Sequence, residues 1–276
     1  MKKLALALAA TAALTGQAFA ADMAVKARPA PPPVPVANWT GCYIGGGGGY
    51  GFYDIESQQL AGFPAAAAPN PPVAINRGID QGGRGWIGTV QGGCDYQFGL
   101  GTGGGLFGTG QFVIGAFADY NWSDIKGEFT GDGGAVGLFS NTEKVDYYWA
   151  VGGRIGWLVT PNLLTYFSGG YTEAHRTGFG TYLTVANAPV GVGLRGGTAQ
   201  GWFLGSGVEY QIGWIPNLTW KTEYRFSEFD RKDNFEFVTA TGLNTGTFSR
   251  DKLFTQTVVT TLSYRFNWGG PVVAKY

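Results

Sequence analysis

From Trp39 onward, apolar and polar positions alternate with a period of two, and segments of this kind predict strands. In the last of them Phe254, Gln256, Val258, Thr260, Leu262, Tyr264 and Phe266 share one face, opposite Thr255, Thr257, Val259, Thr261, Ser263 and Arg265. Leu218, Trp220, Thr222, Tyr224 and Phe226 likewise oppose Thr219, Lys221, Glu223, Arg225 and Ser227, so every charge falls on one face. Trp202, Leu204, Val208, Tyr210, Ile212 and Trp214 face away from glycines, Glu209 and Gln211. Val145, Tyr147, Trp149, Val151, Ile155 and Trp157 oppose Asp146, Gly152 and Arg154, and Phe112, Ile114, Ala116, Ala118, Tyr120 and Trp122 oppose Asp119 and Asn121.

Strands are expected near 39–53, 84–98, 109–123, 143–159, 162–176, 198–214, 218–231 and 251–266. Long connections at 54–83, 124–142, 177–197 and 232–250 alternate with shorter ones at 99–108, Thr160-Pro161 and Ile215-Pro216-Asn217. An even number of strands with this loop pattern and aromatics at both ends of the apolar face predicts an all-β fold, an eight-stranded antiparallel transmembrane β-barrel. Closure would satisfy every backbone group in lipid. Trp122, Trp149, Trp157, Trp202, Tyr210, Trp214, Trp220, Tyr224, Tyr264 and Phe266 are the expected membrane-interface residues. A soluble sandwich or lipocalin-type barrel would turn such aromatics inward, where an eight-stranded interior could not hold them all. The long connections are expected outside the cell, since such barrels keep short turns in the periplasm.

The N-terminal residues set the compartment. Lys2 and Lys3, the apolar run Leu4–Leu14 and Ala18-Phe19-Ala20 read as a Sec signal peptide, residues 1–20. Residues 21–38 read as a proline-rich periplasmic linker, and 39–276 as the outer-membrane barrel. No later stretch offers the roughly 20 apolar residues of a spanning helix. The 48 glycines, 15% aromatic and 14% charged residues suit a membrane barrel better than a soluble domain. A net charge of zero removes the basic footprint of a nucleic-acid binder.

On the inward face Asp95, Asp119, Asp146, Arg154, Glu209, Lys221, Glu223, Arg225 and Arg265 are the expected lumen charges. Their signs nearly balance, which suits a structural network of ion pairs; a narrow solute path would require the inward glycines to leave space. Cys42 and Cys94 fall near the periplasmic ends of the first two strands, where antiparallel pairing favours a disulfide, two free thiols being the alternative. Gly46-x-Gly48-x-x-Gly51 and Gly83-x-Gly85-x-x-Gly88 match a dinucleotide fingerprint but open no helix. His175, the sole histidine, has Ser168 and Glu173 nearby in sequence but no serine motif, so no catalytic, metal or cofactor-binding residue is assigned and no cofactor is implied.

The Val25-Lys26-Ala27 plus proline linker, Trp39-Thr40-Gly41-Cys42-Tyr43-Ile44-Gly45, Gly92-Gly93-Cys94-Asp95-Tyr96 and Leu262-Ser263-Tyr264-Arg265-Phe266 resemble the alphaproteobacterial outer-membrane immunogenic proteins, porin-like barrels of the opacity type. The resemblance covers most of the chain after residue 20. It implies an eight-stranded outer-membrane barrel exposed at the cell surface, often labelled a porin. Unlike many such barrels, the chain continues past Phe266 to Tyr276. A structural, surface-exposed, porin-like and non-enzymatic role is expected. The alternatives are a narrow passive pore, a surface adhesin or ligand-binding barrel and, last, a lipid acyl-modifying enzyme. Expected partners are outer-membrane lipid and lipopolysaccharide, the barrel-assembly machinery and an unidentified host or surface ligand.

Overall fold

Alternating side chains place lipid-compatible residues on one face of each strand and filling residues on the other. The backbone polar groups then have only neighbouring strands as partners. The computed structural model describes residues 38–61, 73–74, 79–100, 108–132, 138–183 and 188–266; the expected signal peptide, the linker up to Ala37 and the tail after Phe266 lie outside them. Among the described residues there are twelve strands: β1 (Gly41–Ala61), β2 (Val73–Ala74), β3 (Ile79–Gly99), β4 (Gln111–Asp132), β5 (Leu138–Thr160), β6 (Leu163–Arg176), β7 (Phe179–Leu183), β8 (Ala188–Leu194), β9 (Gly197–Gln211), β10 (Leu218–Phe229), β11 (Lys232–Val238) and β12 (Asn244–Phe266).

Eight of them, β1, β3, β4, β5, β6, β9, β10 and β12, pair antiparallel in that order, and β12 closes onto β1. The closing pair is in register from Cys42↔Phe266 to Ala61↔Thr247. On β1 the outward residues from Ile44 to Phe52 cover nine positions, within the roughly 9–11 that a tilted strand needs to cross a bilayer. Two of the turns at the Asn38 end are tight. Pro161 and Asn162 join β5 to β6, and Asn217, with φ of 63°, ends the β9–β10 turn and accepts from the Arg265 amide. Short turns mark that end as periplasmic.

Beyond the bilayer the wall does not end in loops, which corrects the expectation for 54–83, 124–142, 177–197 and 232–250. β1, β3, β4, β5 and β12 run on into those segments, while β6, β9 and β10 stop at the rim and β7, β8 and β11 continue the wall above them. The hydrophobic alternation fades there because the outer face meets water and carries polar residues such as Asp54, Glu56 and Gln58, yet the backbone ladder persists. Gly178 and Gly196 make the step between tiers: a Cβ on Gly178 would stand 2.6 Å from the Gly196 nitrogen, a contact only glycine permits.

Paired backbone outside the lipid should resist exchange. In detergent micelles the amides of Asp54–Gln59 and Arg250–Phe254 are expected to exchange as slowly as those of the membrane band, read by hydrogen–deuterium exchange; loop-like exchange within seconds would contradict the extended tier.

Candidate functional site

The lumen is built in layers, starting at the periplasmic mouth. Trp39, just before β1, is buried against Val113, Leu158, Leu164 and Tyr166, and its indole Nε1 donates to the Pro161 carbonyl at 3.2 Å. This ring closes the floor. Above it Arg154 donates through Nε to Asp95 Oδ1 at 2.9 Å and through Nη1 to Glu209 Oε2 at 2.8 Å. Arg265 donates to Asp95 Oδ2 at 2.6 Å, to Glu209 Oε1 at 3.1 Å and to the Trp39 carbonyl at 2.7 Å. The four charges cancel. Both guanidiniums also lie over the Tyr43 ring, at 4.9 and 5.1 Å.

A second neutral quartet follows. Arg225 donates twice to Asp119, at 3.1 and 2.9 Å, and to Glu223 at 2.9 Å, while Lys221 reaches Glu223 at 3.4 Å and bonds Gln91. The Tyr166 and Ser168 hydroxyls donate to the same two Glu223 oxygens, Oε2 at 2.7 Å and Oε1 at 3.2 Å. Phe203 lies 4.3 Å from the Arg225 guanidinium carbon. Buried ions are tolerated only when paired and hydrogen-bonded, and here each carboxylate meets a cation.

Higher still the lumen turns apolar. Ile55, Ile87, Ile125, Val145, Ala174, Ala199, Phe229 and Leu253 are buried together, one from each of the eight wall strands. Past this layer Arg176 joins Glu143 and Asp251, with Asn234 donating to Asp251 at 2.8 Å. Burial pushes the Glu143 carboxyl up from its ordinary range, opposed by Arg176.

The glycines do not leave a channel. A Cβ on Gly152 would meet the Phe203 ring at 2.8 Å, one on Gly207 the Tyr166 hydroxyl at 2.5 Å, and one on Gly93 the Tyr43 hydroxyl at 2.7 Å. Large rings therefore fill what small residues concede. The cavity beside the second quartet has a volume of about 20 Å³, and the one at the external cluster about 10 Å³, room for about one water in each.

Sequence reasoning had turned the aromatics out and missed the inward Tyr43, Tyr53, Phe117, Tyr148, Tyr166, Phe203 and Phe229. It also missed the apolar layer, whose Ile55 and Ile125 stand beyond the expected strand ends. Matching large inward residues to the glycines opposite would have been the signal. Asp146 is corrected from a lumen charge to the outer face. A β-bulge at Val145/Tyr147 sets Asp146 and Tyr147 together opposite His175 and turns Val145 inward. His175 Nδ1 lies 2.7 Å from Asp146 Oδ1, and its ring stacks on Tyr147 at 4.8 Å. Ser168 points into the lumen, so β6 separates it from His175.

Outside, Trp122, Trp202, Tyr210, Trp220, Tyr224, Tyr264 and Phe266 are exposed on the wall; Trp149 and Trp157 share its outer face, and Trp214 lies in the β9–β10 turn. Cys42 and Cys94 are cross-strand partners joined by a disulfide, with Cα atoms 3.9 Å apart. Just beyond the outer aromatics Lys144 hydrogen-bonds Asp124 and holds that carboxyl below its ordinary range.

No protein-family model matches the chain. Over 266 residues it is 28% identical to the 31 kDa outer-membrane immunogenic proteins of Brucella melitensis biotype 1 and Brucella suis biovar 1, covering 90% of this chain and 93% of theirs. The resemblance read from the sequence holds in these relatives, and the chain is an outer-membrane β-barrel protein. Similar solved structures include Neisserial surface protein A (TM-score 0.36, 9% identity, 82% of this chain and 98% of that one) and the outer-membrane protease OmpT of Escherichia coli (0.38, 12%, 81% and 97%). These superpositions are too loose to bear on activity.

Arg225→Met leaves Asp119 and Glu223 without their shared cation, an expected loss of about 3–5 kcal/mol. A lowered urea midpoint of the folded barrel would read it, and adding Asp119→Leu should restore part of the loss. An unchanged midpoint for the single variant would mean that the quartet contributes nothing.

Proposed function

We propose that this protein is a closed, non-catalytic outer-membrane barrel whose role is structural and surface-exposed: the membrane band anchors it, and the external tier is the contact surface. The observation that carries this reading is the filled lumen. Two neutral quartets, the Trp39 floor and the eight-residue apolar layer occupy the space a solute would need. Eight strands enclose a volume that side chains can just fill, so these layers suffice to block it. The external tier, by contrast, extends the wall well past the aromatics on a hydrogen-bonded ladder, giving a rigid platform for recognition. The absence of catalysis is supported by the separation of His175 from Ser168 on opposite faces of β6.

The test is a deletion strain complemented with the parent or with a chain in which residues 177–196 are replaced by a short turn. The trimmed chain should insert and fold as the parent does. Surface attachment of the cells should fall while uptake of small solutes stays unchanged. Normal attachment with reduced uptake would overturn the reading.

A further inference from the structure

Basic residues on the outer rim mostly have their own carboxylates. Lys252 pairs with Glu228 at 2.6 Å, Arg250 with Asp233 at 2.7 Å and Arg231 with Glu56 at 3.8 Å. One stretch of wall differs. Arg84 on β3, Lys126 on β4 and Lys144 on β5 are successive cross-strand partners, Arg84↔Lys126 and Lys126↔Lys144. Strands lie about 4.8 Å apart, so the row places three cations within roughly 10 Å. Like charges set directly opposite one another destabilise a sheet.

Among the described residues Asp124 is the row's one ion-pair partner, 2.9 Å from Lys144 and 3.6 Å from Lys126, and Arg84 has no ion pair. Asp146 is engaged by His175, Asp54 on β1 stands diagonal to Arg84 without an ion pair to it, and Asp80 and Glu128 lie further toward the exterior on β3 and β4. The row also has a defined height. Two residues toward the membrane from Arg84 and four from Lys126 stand Trp86, 73% exposed, and Trp122, 54% exposed, in the outer aromatic girdle. Interfacial Trp marks the level where acyl chains give way to headgroups. Cations just above that level face the anionic groups of the outer leaflet, and the side chains of Lys126 and Lys144 are 59% and 37% exposed toward it.

We propose that Arg84, Lys126 and Lys144 form a cradle for a phosphate of an outer-leaflet glycolipid, whose acyl chains lie along the Trp86–Trp122 wall. Such a phosphate relieves the cation row that Asp124 alone only partly neutralises. Its lipid tails cover the tryptophans below, so headgroup and chains are recognised on the same three strands.

The test is a titration by native mass spectrometry of the full chain folded in detergent micelles, with bis-phosphorylated lipid A, dephosphorylated lipid A and inorganic phosphate as probes. The combined Arg84→Gln, Lys126→Gln and Lys144→Gln variant should bind bis-phosphorylated lipid A at least about tenfold more weakly. Lys252→Gln, on β12 two strands from Arg84 and already paired with Glu228, should bind like the parent. Dephosphorylated lipid A should bind parent and triple variant equally. Thermal unfolding of the triple variant confirms that it is folded, and Arg84→Gln alone serves if it is not. Equal affinity of parent and cradle variant would overturn the proposal, as would an equal loss in Lys252→Gln. Displacement of lipid A by millimolar inorganic phosphate would overturn the assignment to a lipid.

Discussion

The interior depends on the pair of arginines, Arg154 and Arg265, held between Asp95 and Glu209. These residues come from β5, β12, β3 and β9, so one neutral cluster ties together strands spaced around the whole ring. A barrel of this size cannot leave a charge unpaired, because side chains rather than bulk water fill its centre. The Trp39 carbonyl is a third acceptor for Arg265, and the Trp39 ring then seals the mouth below it. The motifs that carried the family resemblance converge here. Trp39 is the floor, Tyr43 underlies both guanidiniums, Gly93 makes room for the Tyr43 ring, and Asp95 and Arg265 are ion-pair partners.

The membrane band was legible because lipid and lumen impose opposite demands on alternate residues. Rows such as Trp202–Leu204 and Trp220–Tyr224 could only face hydrocarbon when Glu209, Lys221 and Glu223 stood opposite. The external tier was not legible, since residues such as Asp54, Glu56 and Gln58 meet water and give no hydrophobic period. Asp146 was misplaced for a different reason. Parity counting assumes an unbroken ladder, and one extra residue at the Val145/Tyr147 bulge reverses every face beyond it. The layered filling of the lumen was hidden because it depends on which glycine lies opposite which ring, as with Gly152 and Phe203, and strand alternation does not contain that information.

Inside and outside of the wall solve different electrostatic problems. Within the lumen each quartet is neutral and nearly dry, whereas the rim carries exposed pairs such as Lys252–Glu228 and the less balanced row Arg84, Lys126 and Lys144. Exposed pairs contribute little to stability, so the rim is free to vary with what it touches. The quartets are not, because each member is the counter-charge of another.

Single-channel recording of the folded chain in a planar bilayer tests the closed lumen most directly. The layered interior predicts an electrically silent membrane in which circular dichroism confirms the inserted β-structure. Steady, ion-selective steps from the same preparation would contradict it, and would mean that the quartets and the apolar layer part to admit water.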